Sequence, residues 1–596
     1  MPGGRWTDRP RREGDAMLEA PAPPRSRWVA LHAESSFTDE LLSSLEIEPA
    51  TASILARRGI VDPAEAERFL RPSLDDLHDP SLMGGMEAAV ARLRKALDDG
   101  ETILIHGDFD VDGLASTALL ARSLSCLGAS VRTHIPHRLE EGYGLHEDVA
   151  RVAAQAGATL VVSCDCGIRS HDVAQLLADQ GIDLIITDHH EPGEDTPPAV
   201  AVLDPKLPGC PYPFKQLAGV GVAFKLGQAL SESLGIAPSK FQRAYLDLVA
   251  LGTVADVVPL IGENRVLTTF GLQQLRRTQK VGLRALLRKL KLEDRPLEAY
   301  HVGFMIAPRM NAAGRLDDAK EALELLMTGS RSRADAIAKY LDETNSERQG
   351  VEATMLKQAY LRLAEDEDLL ERDPVLVLAG HGWHRGVAGL VSGRIRERYG
   401  RPTFVLCIDE RCAVGSARSV DEFDLARALD AVRDCLIKGG GHAMAAGVTL
   451  DRDRIGEFRA RLNEYALQHI SPADLAPVHK YDEELPAEGM THQLCSEMQL
   501  LAPFGAGNPR PRFMTRGLAV EWVSAFGRES RHLRIGLTGG GRSLRAVAWR
   551  KGERQHEIQP GMTVDILYTL KTEARMGVVE LVPTVDDFRP SAAREV

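Results

Sequence analysis

Residues 103–113 read Ile-Leu-Ile-His-Gly-Asp-Phe-Asp-Val-Asp-Gly, a short apolar run that delivers His106, Asp108, Asp110 and Asp112 into a glycine-flanked turn. Leu114 to Leu127 then reads as a helix, so the acids stand where a strand hands over to a helix. Alternate carboxylates this close repel one another unless a cation neutralises them. Carboxylate oxygens suit hard ions such as Mg²⁺ or Mn²⁺, and a neighbouring imidazole tilts the choice toward Mn²⁺. The same Asp-x-Asp-x-Asp-Gly spacing opens a calcium-binding EF-hand, which needs an acid at its twelfth position and a helix before the loop. Here the twelfth residue is Leu119 and a strand comes first, so an EF-hand is excluded.

Strand and helix patterns alternate around this turn. Met86, Val90, Leu93 and Leu97 fall at helical spacing, and Gly100 stops that helix before strand 103–106. Residues 131–135, 159–163, 183–187 and 199–203 read as buried strands, with helices predicted over 147–156 and 171–180. Such alternation predicts a parallel sheet with helices on both faces, whose ligands bind at the carboxyl ends of the strands. Acidic motifs fall at those ends. Strand 159–163 runs into Cys164-Asp165-Cys166-Gly167, and strand 183–187 into Asp188-His189-His190-Glu191-Pro192. A later apolar stretch, Leu246 to Ala255, leads into Asp256-Val-Val-Pro259. One aspartate at a strand end is ordinarily a helix cap. Four segments delivering Asp or His to one edge point to a shared site.

At 596 residues the chain is too long for one core, and three or four domains are expected. No apolar run reaches membrane-spanning length and no signal-peptide pattern opens the chain. The first 26 residues are expected to be disordered. Eight cysteines without a Cys-x-x-Cys pair argue against a zinc ribbon or a disulfide framework and suggest a reducing cytoplasm. The net charge of −13 is awkward for a nucleic-acid binder, but basic clusters occur at Arg276–Lys291, at Arg394–Arg401, and at Arg510, Arg512 and Arg516. A solvated face is an equally good reading of each.

Arg331 to Asp373, interrupted only by Gly350, predicts a long helix or helix pair linking two lobes. A second α/β unit follows, with strands over 375–378 and 403–407, a helix over 387–399, and a glycine-rich turn at Gly439-Gly440-Gly441-His442. No P-loop sequence is present. From about residue 500, five short strands (518–526, 532–537, 544–549, 564–570 and 578–582) suit a small OB-type barrel. Trp522, Phe526, Trp549 and Tyr568 are candidates to stack bases, although core packing is the ordinary reading of most of them.

Taken together, the His106–Gly113, Cys164–Gly167, Asp188–Pro192 and Ala255–Pro259 motifs resemble the metal-site motifs of the DHH phosphoesterase superfamily, and Gly439–His442 resembles its companion DHHA1 domain. Within that superfamily the chain is similar to the bacterial single-strand-specific exonucleases. Ile135–Arg138, Glu141–Gly144, Pro213–Val222, Ala307–Leu316, Gly382–Val387, Gly415–Ser419 and Pro503–Pro509 carry that likeness. Departures are Phe109, where the family usually has Tyr, Arg510, where it often has an acid, and a loosely matching stretch at 571–577.

The resemblance implies an α/β protein: a parallel-sheet DHH catalytic domain (27–325), a connecting helix (326–372), a smaller α/β DHHA1 domain (373–470) and an OB-like domain (471–590) after the disordered residues 1–26. It implies two Mn²⁺ or Mg²⁺ ions held by Asp110, Asp112, Asp165, His189 and Asp256, with His106 a further candidate and Asp112 and Asp165 the candidates to bridge. Asp108, Asp188 and His190 would orient ligands, His190 alternatively protonating the leaving group; Asp108 and His190 are thus the catalytic candidates. Arg138, Arg315, Ser416 and Arg418 would hold a 5′-terminal phosphate, with Arg309, Asn311 and His442 as further substrate contacts. The implied activity is 5′-to-3′ hydrolysis of single-stranded DNA to 5′-mononucleotides in recombination and repair. A strand threaded between two lobes would exclude duplex. A single-strand-binding protein and a RecQ-type helicase are the expected partners. The alternative is a DHH-family phosphodiesterase acting on short oligonucleotides or cyclic dinucleotides, which would resemble only the first two lobes. A scaffold with a dead DHH site would have lost metal ligands, and an inorganic pyrophosphatase would be far shorter.

Overall fold

The alternation after Gly100 closes into one parallel sheet of β1 (Thr102–Gly107), β2 (Ser130–His134), β3 (Ala158–Cys164), β4 (Asp183–Thr187) and β5 (Ala201–Leu203), in the order β2-β1-β3-β4-β5. The structure is a computed structural model describing residues 21–32, 35–138, 141–142, 144–366, 368–471, 474–575 and 577–591. Expected disorder at the N-terminus falls mostly on residues outside this range, and 21–26 form no helix or strand. Helix α1 (Met86–Asp98) precedes the sheet, and α2 (Val111–Cys126), α3 (Asp148–Ala156) and α4 (His171–Asp179) connect its strands. Strand order reverses between β1 and β3, which is where such sheets open a binding crevice.

Register fixes what that crevice contains. Gly107 pairs with Cys164, Cys164 with Thr187, and Thr187 with Leu203. The residue leaving each of these strands is an aspartate, so Asp108, Asp165, Asp188 and Asp204 stand in a row along one edge.

Helix α2 is apolar on nearly every side because it is covered by the sheet, α5 (Gly219–Ser233) and α6 (Pro238–Ala255). Its glycine-flanked entry is sterically required: a Cβ on Gly113 would lie 2.5 Å from the Asp108 carbonyl oxygen. Leu246–Ala255 corrects one expectation, since this run is the second half of α6 and Asp256 leaves a helix, not a strand. A continuous apolar run does not by itself distinguish a strand from a buried helix.

Helix α7 (Gly262–Arg276) follows, then a π-helical turn at Val302–Ile306 and α8 (Ala307–Leu316). The predicted linker is one 35-residue helix, α9 (Arg331–Glu365). The chain divides within α9 into two compact units, Val29–Asn345 with Lys480–Val596, and Ser346–His479 with the residues up to Trp28. In the latter, β6 (Leu376–His381), α10 (Arg385–Tyr399), β7 (Thr403–Ile408), β8 (Cys412–Arg418), β9 (Lys438–Gly441) and β10 (Ala445–Asp451) form a sheet ordered β9-β10-β8-β7-β6. The glycines expected as a turn are therefore mainly an edge strand. Side-chain-free backbone lets β9 sit close to β10, since a Cβ on Gly441 would meet the Ala445 carbonyl oxygen at 2.3 Å.

Five strands, β11 (Phe513–Phe526), β12 (His532–Gly539), β13 (Arg542–Ala548), β14 (Thr563–Arg575) and β15 (Val578–Pro590), form the C-terminal barrel. The ring runs β11-β12-β13-β15-β14 and closes through β14 onto β11. Tyr568 is core, whereas Trp522 and Trp549 are exposed. Leu41, Ile54, Leu55 and Phe69 pack into the barrel's own hydrophobic cluster. One buried guanidinium, Arg265 of α7, ties this region together by donating to the carbonyl oxygens of Phe69, Leu500 and Leu501.

Helix α5 is anchored by charge. Lys225 Nζ donates to Glu263 Oε1 and to the His78 carbonyl oxygen, both at 2.7 Å, while Tyr212 donates to Glu263 Oε2 at 2.6 Å. Both charged side chains are fully buried. Removing one member of such a pair strands the other charge, at a cost of roughly 3–5 kcal/mol. Lys225→Met is expected to lower the unfolding free energy by about that amount, and Lys225→Met/Glu263→Gln to recover part of it. Urea unfolding of the three proteins checks this.

Candidate metal centre

The sequence places its acids at backbone ends, and the backbone holds them there. Asp110 caps α2, its Oδ1 accepting from Asp112 N at 2.9 Å and Gly113 N at 3.2 Å. Asp112 is fully buried and accepts from Gly219 N at 2.7 Å and Val220 N at 2.9 Å, the first turn of α5. That end of a helix carries unpaired N–H groups and positive dipole potential, which favour an anion. Asp165 adopts φ +62°, uncommon for a non-glycine residue, with its N–H donating to the Thr187 carbonyl oxygen at 2.8 Å.

His189 Nε2 lies 3.1 Å from Asp165 Oδ1, 3.5 Å from Asp256 Oδ2 and 3.9 Å from Asp112 Oδ2. Donor atoms of Asp112, His189 and Asp256 gather within 4.8 Å of one another, as do those of Asp165, His189 and His190. Asp188 serves the second group: its Oδ1 accepts from His190 Nδ1 at 2.7 Å and from His189 N at 2.7 Å, while Oδ2 accepts from Ile168 N at 2.9 Å.

Electrostatics mark the cluster as incomplete without cations. Burial and the neighbouring Asp110 push Asp112 up to about 7, even against its two backbone donors. Burial, Asp112 and Asp110 push Asp256 up to about 9. Burial and the surrounding carboxylates, Asp112 first among them, raise Asp165 well above the ordinary range. His189 is pushed down to about 3 by burial and by His190, and so is neutral and able to act as a ligand. Among the described residues, buried Asp108 Oδ1 and His189 Nε2 make no hydrogen bond. Oxygen and imidazole donors with unused lone pairs fit a hard or borderline divalent ion.

The other expected site residues are placed as follows. His106 is the penultimate residue of β1, but its ring nitrogens engage His134 Nδ1 at 3.0 Å and the Gly144 carbonyl oxygen at 3.3 Å, which keeps it out of the acid cluster. Arg138 lies over the Phe109 ring at 4.7 Å and within electrostatic reach of Asp108 and Asp110. Arg309 spends its guanidinium on Asp342 (2.9 Å) and the Met305 carbonyl oxygen (2.7 Å). Asn311 accepts from Val111 N at 3.1 Å and so braces the start of α2. Arg315 sits in the last turn of α8.

In the other unit, Ser416 and Arg418 lie on β8 facing Gly389 of α10, where a Cβ would come within 3.2 Å of the Arg418 guanidinium. His442 follows β9 and is exposed.

Sequence reasoning missed several participants. Gly219 and Gly252 must be glycine, since a Cβ would fall 2.7 Å from Asp165 Oδ1 and 2.6 Å from Asp112 Oδ1 respectively. Gly219 lies inside the Pro213–Val222 motif, whereas nothing local in the sequence signals Gly252. Asp204 was findable: it follows predicted strand 199–203, is buried, and leaves Oδ2 without a hydrogen bond.

A pH dependence follows. Asp112 and Asp256 titrate higher in the folded chain than in an unfolded one, where aspartate titrates near 3.9. Between these values the folded state binds the extra protons, so metal-free stability falls as pH rises from about 4 toward 9. Divalent ions displace those protons and bind more tightly as pH rises. Thermal melts in chelator are expected to show a falling midpoint across this window, and saturating Mn²⁺ to remove the fall. Asp256→Asn should shallow the metal-free slope.

Known families match along the whole arrangement. The DHH family, N-terminal domain, matches residues 102–253, the DHHA1 domain 372–468 and the RecJ OB domain 481–587. The chain is 39% identical over 545 residues to the single-stranded-DNA-specific exonuclease RecJ of Bacillus subtilis, covering 91% of this chain and 68% of that protein. It is 39% identical over 516 residues to the Dickeya dadantii protein of the same name, covering 83% and 88%. The crystal structure of Thermus thermophilus RecJ with Mn²⁺ superposes with a TM-score of 0.80 at 34% identity, covering 96% of this chain and 80% of that one. With matching domains in the same order and this likeness over nearly its full length, the chain belongs to the RecJ family of single-stranded-DNA-specific exonucleases.

Proposed function

We propose that the chain is a metal-dependent exonuclease that hydrolyses single-stranded DNA from the 5′ end and releases 5′-mononucleotides in recombination and repair. The gathering of Asp112, Asp165, Asp256 and His189 at the carboxyl edge of the sheet carries this reading. Asp110, Asp112, Asp165, His189 and Asp256 would hold two divalent ions, Mn²⁺ or Mg²⁺, the ions named with the related Thermus structures. Bound there, such ions neutralise the carboxylates and lower the pKa of a water. His106 serves instead as a wall, neutral because burial and His134 push it down to about 3.

Cleavage breaks the bond from phosphorus to the 3′ oxygen of the terminal nucleotide, and that oxygen must gain a proton. His190 is suited to give it. Burial pulls its imidazolium down, but the hydrogen bond and charge of Asp188 outweigh that and raise it overall. The hydrogen bond from Nδ1 to Asp188 at 2.7 Å fixes the orientation of the ring at the edge of the acid cluster. Asp188 is held low by His190 despite its own burial, and so stays an anion behind the ring. Asp108 orients the turn between Asp110 and Arg138.

Arg138 stands beside Asp108 and Asp110 and would take the terminal phosphate bidentately. In their own unit Ser416 and Arg418, which share a face of β8, and His442 are the proposed phosphate donors, and Arg315 is a further proposed contact in the unit of Arg138. Arg309 and Asn311 support the site through Asp342 and Val111. The substrate is generated by strand separation, so a RecQ-type helicase and a single-strand-binding protein are the proposed partners, in the cytoplasm.

The test uses single-stranded DNA labelled at either end, with Mn²⁺, beside Asp112→Ala and a chelator control. Early mononucleotide release from the 5′ label, absent from both controls, is expected. Turnover of di- to tetranucleotides alone would replace this reading with a small-substrate phosphodiesterase. His190→Asn is expected to lower kcat by about 10²–10⁴-fold while Mn²⁺ stoichiometry, read by titration calorimetry, is kept.

A further inference from the structure

A cavity of about 1090 Å³ lies next to the metal centre, between α7, the π-helical turn and the loop that leads into the barrel. Val254, Ala255, Val257 and Val258, the sequence neighbours of Asp256, line it. Val257 is held at φ +64° and is 69% exposed, an outlying conformation for a β-branched residue. Tyr300 and Phe304, 58% and 70% exposed, stack on each other with ring centroids 4.9 Å apart. π-Helical turns of the kind that carries Phe304 are rare and concentrate at functional sites.

Charge lines the same cavity. Arg276, Arg277 and Lys571 are exposed and pair with no carboxylate among the described residues. Arg510, the residue that departs from the family's usual acid, behaves differently. It lies over the Phe504 ring at 4.4 Å and bonds Glu298 at 2.9 Å, joining the barrel-side loop to the α7-side wall.

We propose that this cavity is a binding site for the single-stranded polynucleotide, taking a run of bases against Tyr300 and Phe304 and their phosphates on Arg276, Arg277 and Lys571. The inference rests on the exonuclease reading. Its occupant is set by charge complementarity, in a cavity lined by the chain neighbours of Asp256: exposed aromatic faces beside unpaired cations are the donor set for stacked bases on a phosphate backbone. In a chain of net charge −13, three unpaired cations beside one apolar cavity are the local exception. Arg510 and Glu298 clamp the far wall, so the departure from the family pattern shapes the site without contributing a free cation.

The experiment compares the full chain with Tyr300→Ala/Phe304→Ala and Arg276→Gln/Arg277→Gln, all exposed positions. Binding of a 5′-phosphorylated thymidine oligonucleotide, long or three nucleotides in length, is measured by anisotropy in chelator. Loss of the aromatics is expected to weaken the long strand roughly tenfold or more. Loss of the two arginines is expected to flatten the slope of log K against log salt by about 1.4. Trinucleotide turnover with Mn²⁺ and the unfolding midpoint stay unchanged. A single 2-aminopurine moved along the long strand should be quenched at an internal position, and the quench lost in the aromatic variant.

Unchanged long-strand affinity and salt slope in both variants, or a quench that survives the aromatic change, would overturn the proposal and leave the cavity to a protein partner. Absence of mononucleotide release from the 5′ end of the long strand in the unaltered chain would count against the exonuclease reading alone. The chelator binding comparison still decides this one.

Discussion

The edge of the sheet depends on one buried anion being held by two backbone N–H groups. Asp112 is fully buried beside Asp110, and without the first turn of α5 its carboxylate would have no fixed direction. The two N–H groups and the helix dipole oppose the burial and repulsion that raise its pKa. They also set both oxygens against the cluster. This requires α5 to approach α2 and β3 with no side chain between, hence glycine at 219, and the end of α6 to do the same, hence glycine at 252. The helix is in turn fixed by Lys225 and Glu263, one end of which lies at the start of α7, just beyond Asp256. A buried ion pair remote from the chemistry thereby sets the relation between two of its acids.

The two adjacent histidines do opposite things because of what stands behind them. His189 faces carboxylates, is buried, and stays neutral. His190 is backed by Asp188, which fixes its tautomer and favours its charged form. Asp188 bonds both residues through the same oxygen, so its position sets their divergence, with ring planes 59° apart. One carboxylate in the row thus acts on side chains, while Asp165 faces the ligand cluster.

Much of this was legible in the sequence, for reasons that can be named. A parallel sheet turns a local pattern, an apolar run ending in Asp, into a spatial one, because register aligns strand ends without further information. Asp108, Asp165 and Asp188 could therefore be grouped in advance, and Asp204 obeys the same rule. Asp256 arrived by a different route, from a helix whose apolar run looks like a strand's. What sequence did not reveal are dependencies between distant segments: the Gly219 and Gly252 approaches, the capture of His106 by His134, and the use of Arg309 and Asn311 as internal braces. Each rests on a contact whose partner lies far along the chain or in a neighbouring strand, so no local spacing encodes it.

The acidic balance of the chain, at first an objection to a polyanionic substrate, includes the acids of the site. Asp108, Asp110, Asp112, Asp165, Asp188, Asp204 and Asp256 concentrate negative charge at the one edge where a phosphodiester must come closest. Metal-free, that edge is buried and its carboxylates repel one another, which is why several of its acids hold protons well above their ordinary range. Two divalent ions held by Asp110, Asp112, Asp165, His189 and Asp256 would return four positive charges to it, so that substrate approach and chemistry would depend on the same event. The cations that attract the strand need not then crowd the reacting centre. They can sit outside it, as Arg276, Arg277 and Lys571 do, where they meet phosphates without competing with the metal for carboxylates. An acidic nuclease of this design attracts DNA locally and tolerates it at the centre only when metal is bound.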